Sequence, residues 1–357
     1  MPDCFARDDL PSAHWLRVLS RRLIMAVGWI VVLGTLGTPL RAAPLSLTQV
    51  PDISLGLYAE LLVETSKKLS LDEVRASYRD EQFKQGKEPV MGFGIGAPPV
   101  WLRLEVHNPS GQTKVFRLAA GTSWVDHLDI YVVHQDRLLV AQHTGDAMPQ
   151  PPGITPGLGY TFYIDFPPGT SEIYLRAETL DPLVIPIKLL SAEQVSESDR
   201  WVHYSYGVLY GFLTALLAYN FMLYIGLKKS THLYYSLYLA SFIATNLAYT
   251  GHGYAWWWSD YPDFQRYIIF VLMMLFSCLG LLFAVRFLDI AEHAPRTFSA
   301  VRLFAFASIV LMVQCIAIDS QAGAGIVAFS FVILFTLIML ALGVFTWRNG
   351  RSAGGYF

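Results

Sequence analysis

Cysteine is nearly missing: Cys4, Cys278 and Cys315 are the three in 357 residues. None lies between Pro44 and Arg200, so that stretch has no disulfide framework and must fold on its own core. Cys278 and Cys315 sit inside apolar runs and read as buried small hydrophobes rather than redox or metal groups. Basic runs are absent and the formal net charge is −2, which removes the electrostatic footprint of a nucleic-acid partner. His107, His127, His134 and His143 lack metal-ligand spacing, so no metal and no cofactor is expected. A Gly-x-Ser-x-Gly elbow and a His-Glu-x-x-His helix are both missing. Asp126 and Asp129 lie close in sequence, but they read as turn and strand-edge residues rather than a catalytic carboxylate pair. No catalytic residue is assigned, and no motif here carries an enzyme activity.

Acidic side chains are also missing from five apolar runs, at about 204–227, 233–250, 267–285, 301–318 and 325–346. The first, of about 24 residues, is long enough as a helix to cross a hydrocarbon core of about 30 Å. An ion carrier keeps a carboxylate within the bilayer for function, so the lack of one argues against a transporter or an intramembrane aspartyl protease. The cationic loop residues are Lys228 and Lys229, then Arg286, Arg296 and Arg302, then Arg348 and Arg351. The intervening stretches Gly251–Gln265 and Asp319–Ala324 have no Lys or Arg. Positive loops face the cytoplasm, which places everything before Tyr204 outside. The N-terminus agrees. Arg17, Arg21 and Arg22 precede LIMAVGWIVVLG and the small-residue exit Arg41-Ala42-Ala43-Pro44, so residues 1–43 read as a signal peptide or an uncleaved N-terminal anchor.

Between residues 44 and 200 the pattern is period two. In Trp101–His107, Leu102, Leu104 and Val106 face one way and Trp101, Arg103, Glu105 and His107 the other. Residues 114–118, 128–133, 160–164 and 172–177 are further strands, separated by Asn108-Pro109-Ser110-Gly111, Pro151-Pro152-Gly153 and Pro167-Pro168-Gly169. One helix is expected from about Ser70, its cap, to Phe83. The fold class is therefore an all-β sandwich or jelly roll in the periplasm (44–200) followed by an α-helical transmembrane bundle of five spans (201–357).

Trp101, Arg103 and Glu105, together with Trp124 from a loop and Arg176 and Glu178 from a later strand, are the candidate ligand-binding residues. An aromatic platform with converging charges suits a carbohydrate or another small polar ligand. The competing reading is a solvated face on which the arginines pair with neighbouring carboxylates and the tryptophans pack. The outer loop from Gly251 to Asp260, with Trp256-Trp257-Trp258, reads as an interfacial anchor or as a surface on which the exported domain docks. Asn220 is the most polar group of the first span and reads as a helix–helix hydrogen-bonding group. Gly207, Gly211 and Ala215 form a small-residue face for close approach of another helix, within the bundle or from a second copy in a homodimer.

Ala218-Tyr219-Asn220-Phe221-Met222-Leu223-Tyr224, the basic turn Lys228-Lys229, Leu233-Tyr234-Tyr235-Ser236-Leu237-Tyr238 and Arg286-Phe287-Leu288-Asp289 resemble the bacterial seven-transmembrane receptors with diverse intracellular signalling modules. Trp101-Leu102-Arg103 through Asn108-Pro109, Leu128-Asp129-Ile130-Tyr131 and Ile173-Tyr174-Leu175-Arg176 resemble that family's jelly-roll-like extracellular domain. The resemblance implies an inner-membrane receptor with membrane lipid around its spans. It would sense a periplasmic ligand or a periplasmic or membrane protein partner and signal to a cytoplasmic module such as a histidine kinase, diguanylate cyclase or phosphatase. The alternative is a membrane-tethered glycan- or partner-binding protein without signalling. Residues 351–357 look like the entry to a sixth span, and Gly354-Gly355 lacks the flanking acidic residues of a cyclase motif. The expectation is a truncated product or a piece of a longer protein.

Overall fold

The computed structural model describes residues 44–65 and 67–348. The signal or anchor segment 1–43, Cys4 and the sixth-span entry at 351–357 lie outside the described residues. Among the described residues, thirteen strands precede the long helices. A seven-stranded sheet contains β1 (Leu45–Ser46), β2 (Ala59–Val63), β3 (Lys84–Gln85), β5 (Val100–Asn108), β7 (His127–His134), β8 (Arg137–Thr144) and β11 (Gly169–Glu178). Its order is β3-β2-β5-β11-β7-β8, with β1 added in parallel to β5. A four-stranded sheet, in the order β13-β6-β10-β9, contains β6 (Lys114–Ala120), β9 (Ile154–Thr155), β10 (Gly159–Phe166) and β13 (Ile187–Leu190). The remaining strands, β4 (Met91–Ile95) and β12 (Pro182–Ile185), pair with each other.

The alternation read from β5 is real. Leu102, Leu104 and Val106 join Leu118, Ile130, Ile164, Ile173 and Leu175 in one buried core between the sheets. The opposite face of the large sheet is covered rather than solvated. Helix α1 (Leu71–Arg79) lies over it, and Val74 packs with Trp101, Val133 and Tyr174. The cap is as expected: the Ser70 side chain accepts from the Glu73 N–H, and the Glu73 carboxylate accepts from the Ser70 N–H.

Among the described residues, five helices of 20 residues or more follow: α2 (Ala192–Leu227), α3 (Ser230–Tyr249), α4 (Pro262–Phe287), α5 (Pro295–Ala317) and α6 (Gln321–Arg348). Four of them, α2, α4, α5 and α6, are long and apolar enough to cross a membrane. α3 packs against both α2 and α4, and its serines, threonines and tyrosines dilute its apolar character. α2 begins well before Tyr204, because Ser191 and Gln194 build a second capping box. The bundle core is aromatic: Phe270, Phe331 and Phe335 with Met274, Met312 and Leu281. Asn220 is buried and donates to the Leu216 carbonyl of its own helix, not to a neighbouring one. An added Cβ at Gly207 or Gly211 would meet nothing within 4 Å, so that face of α2 is not used inside the bundle.

The β domain rests on the end where α3 finishes and α4 and α6 begin, through Thr250, Gln265 and Gln321. The antiparallel run of helices then carries Lys228-Lys229 and Arg286 to the opposite end. The packing thus separates the cationic loops from the β domain in the sense of the positive-inside rule.

Candidate functional site

Two regions bear on function. The first is the face beneath α1. Arg103 donates to Glu60 (3.0 Å), Glu105 (2.8 Å) and Glu172 (2.5 Å), and its guanidinium lies 3.7 Å from the Tyr78 ring centroid. Arg176 grips Glu64 through two bonds of 3.0 and 2.8 Å and reaches Glu178 at 2.7 Å. The Trp101 indole N–H donates to the same Glu64 carboxylate at 2.7 Å, and the indole stacks on Tyr131. Burial alone would raise the Glu64 carboxyl. The bonds from Arg176, the Leu69 N–H and Trp101 outweigh it and hold that carboxyl below its usual value. Burial pushes the Tyr174 hydroxyl up to about 12, with the Glu172 charge adding to it.

Trp101 is 1% exposed and Arg176 2%, so neither presents a surface to solvent. The structure thus brings Trp101, Arg103, Glu105, Arg176 and Glu178 together on one face and ties the charged ones into ion pairs, with the Trp101 N–H on Glu64. Trp124 is elsewhere: its ring stacks on Tyr249 at the end of α3, with centroids 4.8 Å apart. Beside α1 the same face opens into a cavity of about 640 Å³. Glu105 and Glu172 meet Arg75, Arg79, Thr170 and Tyr174 around it. Sequence reasoning missed Arg75, Arg79 and Glu172 here, because the first two reach the cavity only once α1 has folded over the sheet.

The second region is the seam between the β domain and the helices. The Gln265 side chain of α4 donates to Asp146 (3.3 Å) and to the Ser123 carbonyl (3.4 Å), while accepting from the Trp258 indole (2.7 Å). Gln321, the first residue of α6, donates to Asp181 (3.0 Å) and Asp126 (3.5 Å). The Tyr254 hydroxyl donates to the carbonyls of Asp146 and Met148, and its ring is wholly buried. Of the two readings of the loop, docking therefore describes Tyr254, while Trp256 and Trp257 stay exposed in the manner of interfacial anchors. Burial drives the Asp146 carboxyl well above its usual value, with the Asp126 and Asp181 charges adding to the shift. Burial likewise pushes Asp181 up to about 7 against the opposing Gln321 bond. Asp126 was read as a turn residue, and its carboxylate does accept the Leu180 N–H, yet it also belongs to this acidic group.

Gly251 joins α3 to this loop with φ +78, and an added Cβ would lie 2.8 Å from the Ser123 Cβ. Gly251→Ala is expected to weaken the seam by about 1–2 kcal/mol, since an L-residue is strained at that backbone angle. Faster proteolysis of the 143–158 loop in the intact chain is the readout. An unchanged rate would contradict this role.

A family model described as 7TM diverse intracellular signalling matches residues 203–357, and another described as 7TMR-DISM extracellular 2 matches residues 56–191. The chain belongs to the 7TMR-DISM family. The match over 56–191 ends where β13 gives way to α2 and the match over 203–357 begins within α2, so the family's extracellular part is the β domain and its membrane part is the helical bundle. This is a multi-pass membrane protein with an extracellular domain. Among solved structures it is similar to a family 35 carbohydrate binding module from Clostridium thermocellum, at 9% identity over 39% of this chain and 97% of that one, TM-score 0.21. It is also similar to the pre-peptidase C-terminal domain of a collagenase from Bacillus anthracis, at 9% identity over 28% of this chain and 84% of that one, TM-score 0.20. At those scores neither likeness speaks to fold or ligand. No curated protein matches.

Proposed function

We propose that this 7TMR-DISM chain is a bacterial inner-membrane receptor. Its periplasmic β domain takes a small polar ligand of carbohydrate character and relays occupancy through the helices to a cytoplasmic output module. The observation that carries the reading is the seam. Side chains from the outer ends of α4 and α6 are hydrogen-bonded, buried, into the ligand-bearing domain. A change in that domain therefore acts on the first turns of two membrane helices. Signalling then amounts to a shift between two bundle packings that differ in affinity for the ligand.

The cavity beside α1 is the proposed ligand site, because it combines acids, bases and aromatic edges within a volume suited to a small molecule. Glu105 lines it, Arg103 holds Glu105 and Glu172 from behind, and Trp101 packs behind Val133 and Tyr174, while Arg176 and Glu178 lie outside its lining. The test is thermal unfolding of the full chain in nanodiscs against a panel of neutral oligosaccharides. Binding by the native chain should weaken about tenfold or more in Arg79→Ala and Glu105→Gln, equivalent to at least ~1.4 kcal/mol, with membrane insertion unchanged. Oligosaccharide binding that survives both substitutions, or no binding to any member of the panel, would remove this site.

A further inference from the structure

We propose a second ligand site in the seam: a cavity that takes a single-chain lipophile from the outer leaflet, with a cationic or neutral head group that donates a hydrogen bond. The cavity measures about 540 Å³ and runs from Trp124, Asp181 and Pro182 of the β domain down between α3, α4 and α6 to Phe276 and Val332. From Gln265 to Phe276 is about 16 Å along the α4 axis, roughly half of a hydrocarbon core of about 30 Å. The space therefore lies at the depth of the outer leaflet's acyl chains. Its walls are almost wholly apolar, and apolar cavities of ligand size stay dry and accept apolar guests.

The polar end decides the head group. The Trp124 indole N–H is spent on the Pro182 carbonyl, and the Thr245 hydroxyl donates to the Ser241 carbonyl. These two donors of the lining thus point back into the protein. What the lining offers a guest is the Tyr249 hydroxyl and, beside the helix ends, the carboxyl group of Asp181, which accepts from Gln321 through Oδ1. Asp126 and Asp146 stand behind it, and Arg266 is turned to Asp319. Once Asp181 is ionised, a carboxylate or phosphate head would meet like charge, whereas an ammonium or hydroxyl head would meet an acceptor. The occupant touches the β domain and three helices at once, so its presence bears directly on how tightly they are held together.

The test uses the full chain in phosphatidylcholine nanodiscs at about pH 8, above the Asp181 value of about 7, with two photoreactive probes, diazirine-bearing hexadecan-1-amine and diazirine-bearing hexadecanoic acid, followed by peptide mapping. The amine should label the segments 242–249 and 269–276 about fivefold or more above the acid. Met273→Trp and Val332→Phe should each cut that labelling by a similar factor by filling the space, and Asp181→Asn should abolish the preference for the amine. Both filling variants are compared with the native chain by elution and tryptophan emission, so that misfolding is told apart from filling. Equal labelling by amine and acid, or full labelling in both correctly folded filling variants, would show ordinary annular lipid and overturn the site. Neither result depends on the oligosaccharide experiment, which probes the other face of the β domain.

Discussion

Replacing Arg176 by alanine is expected to cost the extracellular domain about 3–5 kcal/mol, a large share of the roughly 5–15 kcal/mol that holds a domain folded. The substitution does more than remove one cation. Glu64 would keep its place under α1, 5% exposed, with the Trp101 N–H and the Leu69 N–H still aimed at it but its counter-charge gone. A buried carboxylate without a partner is the expensive outcome; a matched apolar pair is not. Arg176→Met combined with Glu64→Gln should therefore recover most of the loss. Thermal unfolding followed by tryptophan fluorescence reads both, since Trp101 sits on the affected carboxylate. The single variant should melt about 10 °C or more below the native chain. A single variant within a couple of degrees of native, or a double variant no better than the single, would mean that the ion pair is not what anchors α1 to the sheet.

That expectation marks how far the sequence could be read. The strands with one buried face were legible, because a buried face imprints period two: Leu102, Leu104 and Val106 alternate with Trp101, Arg103 and Glu105, and the core lies where they say. The start of α1 was legible from Ser70 and Glu73, whose capping contacts are local. Strand β8 was not, because its side chains are mostly exposed at the sheet edge and leave no alternation to detect. β4 was missed because Gly92 and Gly94 interrupt Met91–Ile95.

The composition of the charged face was visible, but not the lid over it. The pairs Arg176–Glu64 and Arg75–Asp136 join residues far apart in the chain, and no local pattern encodes such closure. The first helix began earlier than hydropathy suggests for a related reason. Residues 192–203 are polar, yet Arg117 of β6 clamps Asp199 at 2.9 and 2.7 Å and draws the helix up against the β domain. The seam left one faint trace: Gln265 and Gln321 are uncharged polar residues at the outer ends of apolar runs, where nothing local requires them. Their partners Asp146 and Asp181 lie in turns of the β domain, where no local pattern marks an acid for contact with the helices.

Raising the pH from about 5.5 to about 8 is expected to loosen that same seam by an amount of order 2 kcal/mol, about half of the total that a displacement of about three pH units at Asp181 carries between about pH 4 and about pH 8. The direction follows from the proton. Asp181 holds its proton up to about 7 when the β domain is seated, against an ordinary carboxyl value of 3.8 when the group is in water. A carboxyl raised by docking binds its proton more tightly in the docked form. Its contribution is therefore complete below about pH 4 and is lost as the pH climbs through about 7. Asp146, fully buried beside Asp126, shifts in the same direction.

The groups facing these carboxyls are Gln265 and Gln321 from the helices, Tyr254 from the loop and Tyr160 from β10. Arg266 is the nearby cation, and it is engaged with Asp319. The Arg266 charge favours an ionised Asp181, but burial outweighs it, and the other facing groups are uncharged. Burial pushes the Tyr160 hydroxyl up, away from ionisation, so that residue does not reverse the sign. Hydrogen exchange of residues 143–158 and 250–260 in the intact chain should accelerate at the higher pH, after correction for the intrinsic pH effect. Asp181→Asn, which mimics the protonated carboxyl in shape, should flatten most of the response and stay docked at high pH. Equal protection at both pH values would mean that the carboxyls ionise without disturbing the seam. Looser docking at low pH would mean that proton binding opposes it. In either case the buried acids would not tie the β domain to the helices as their neutral forms allow.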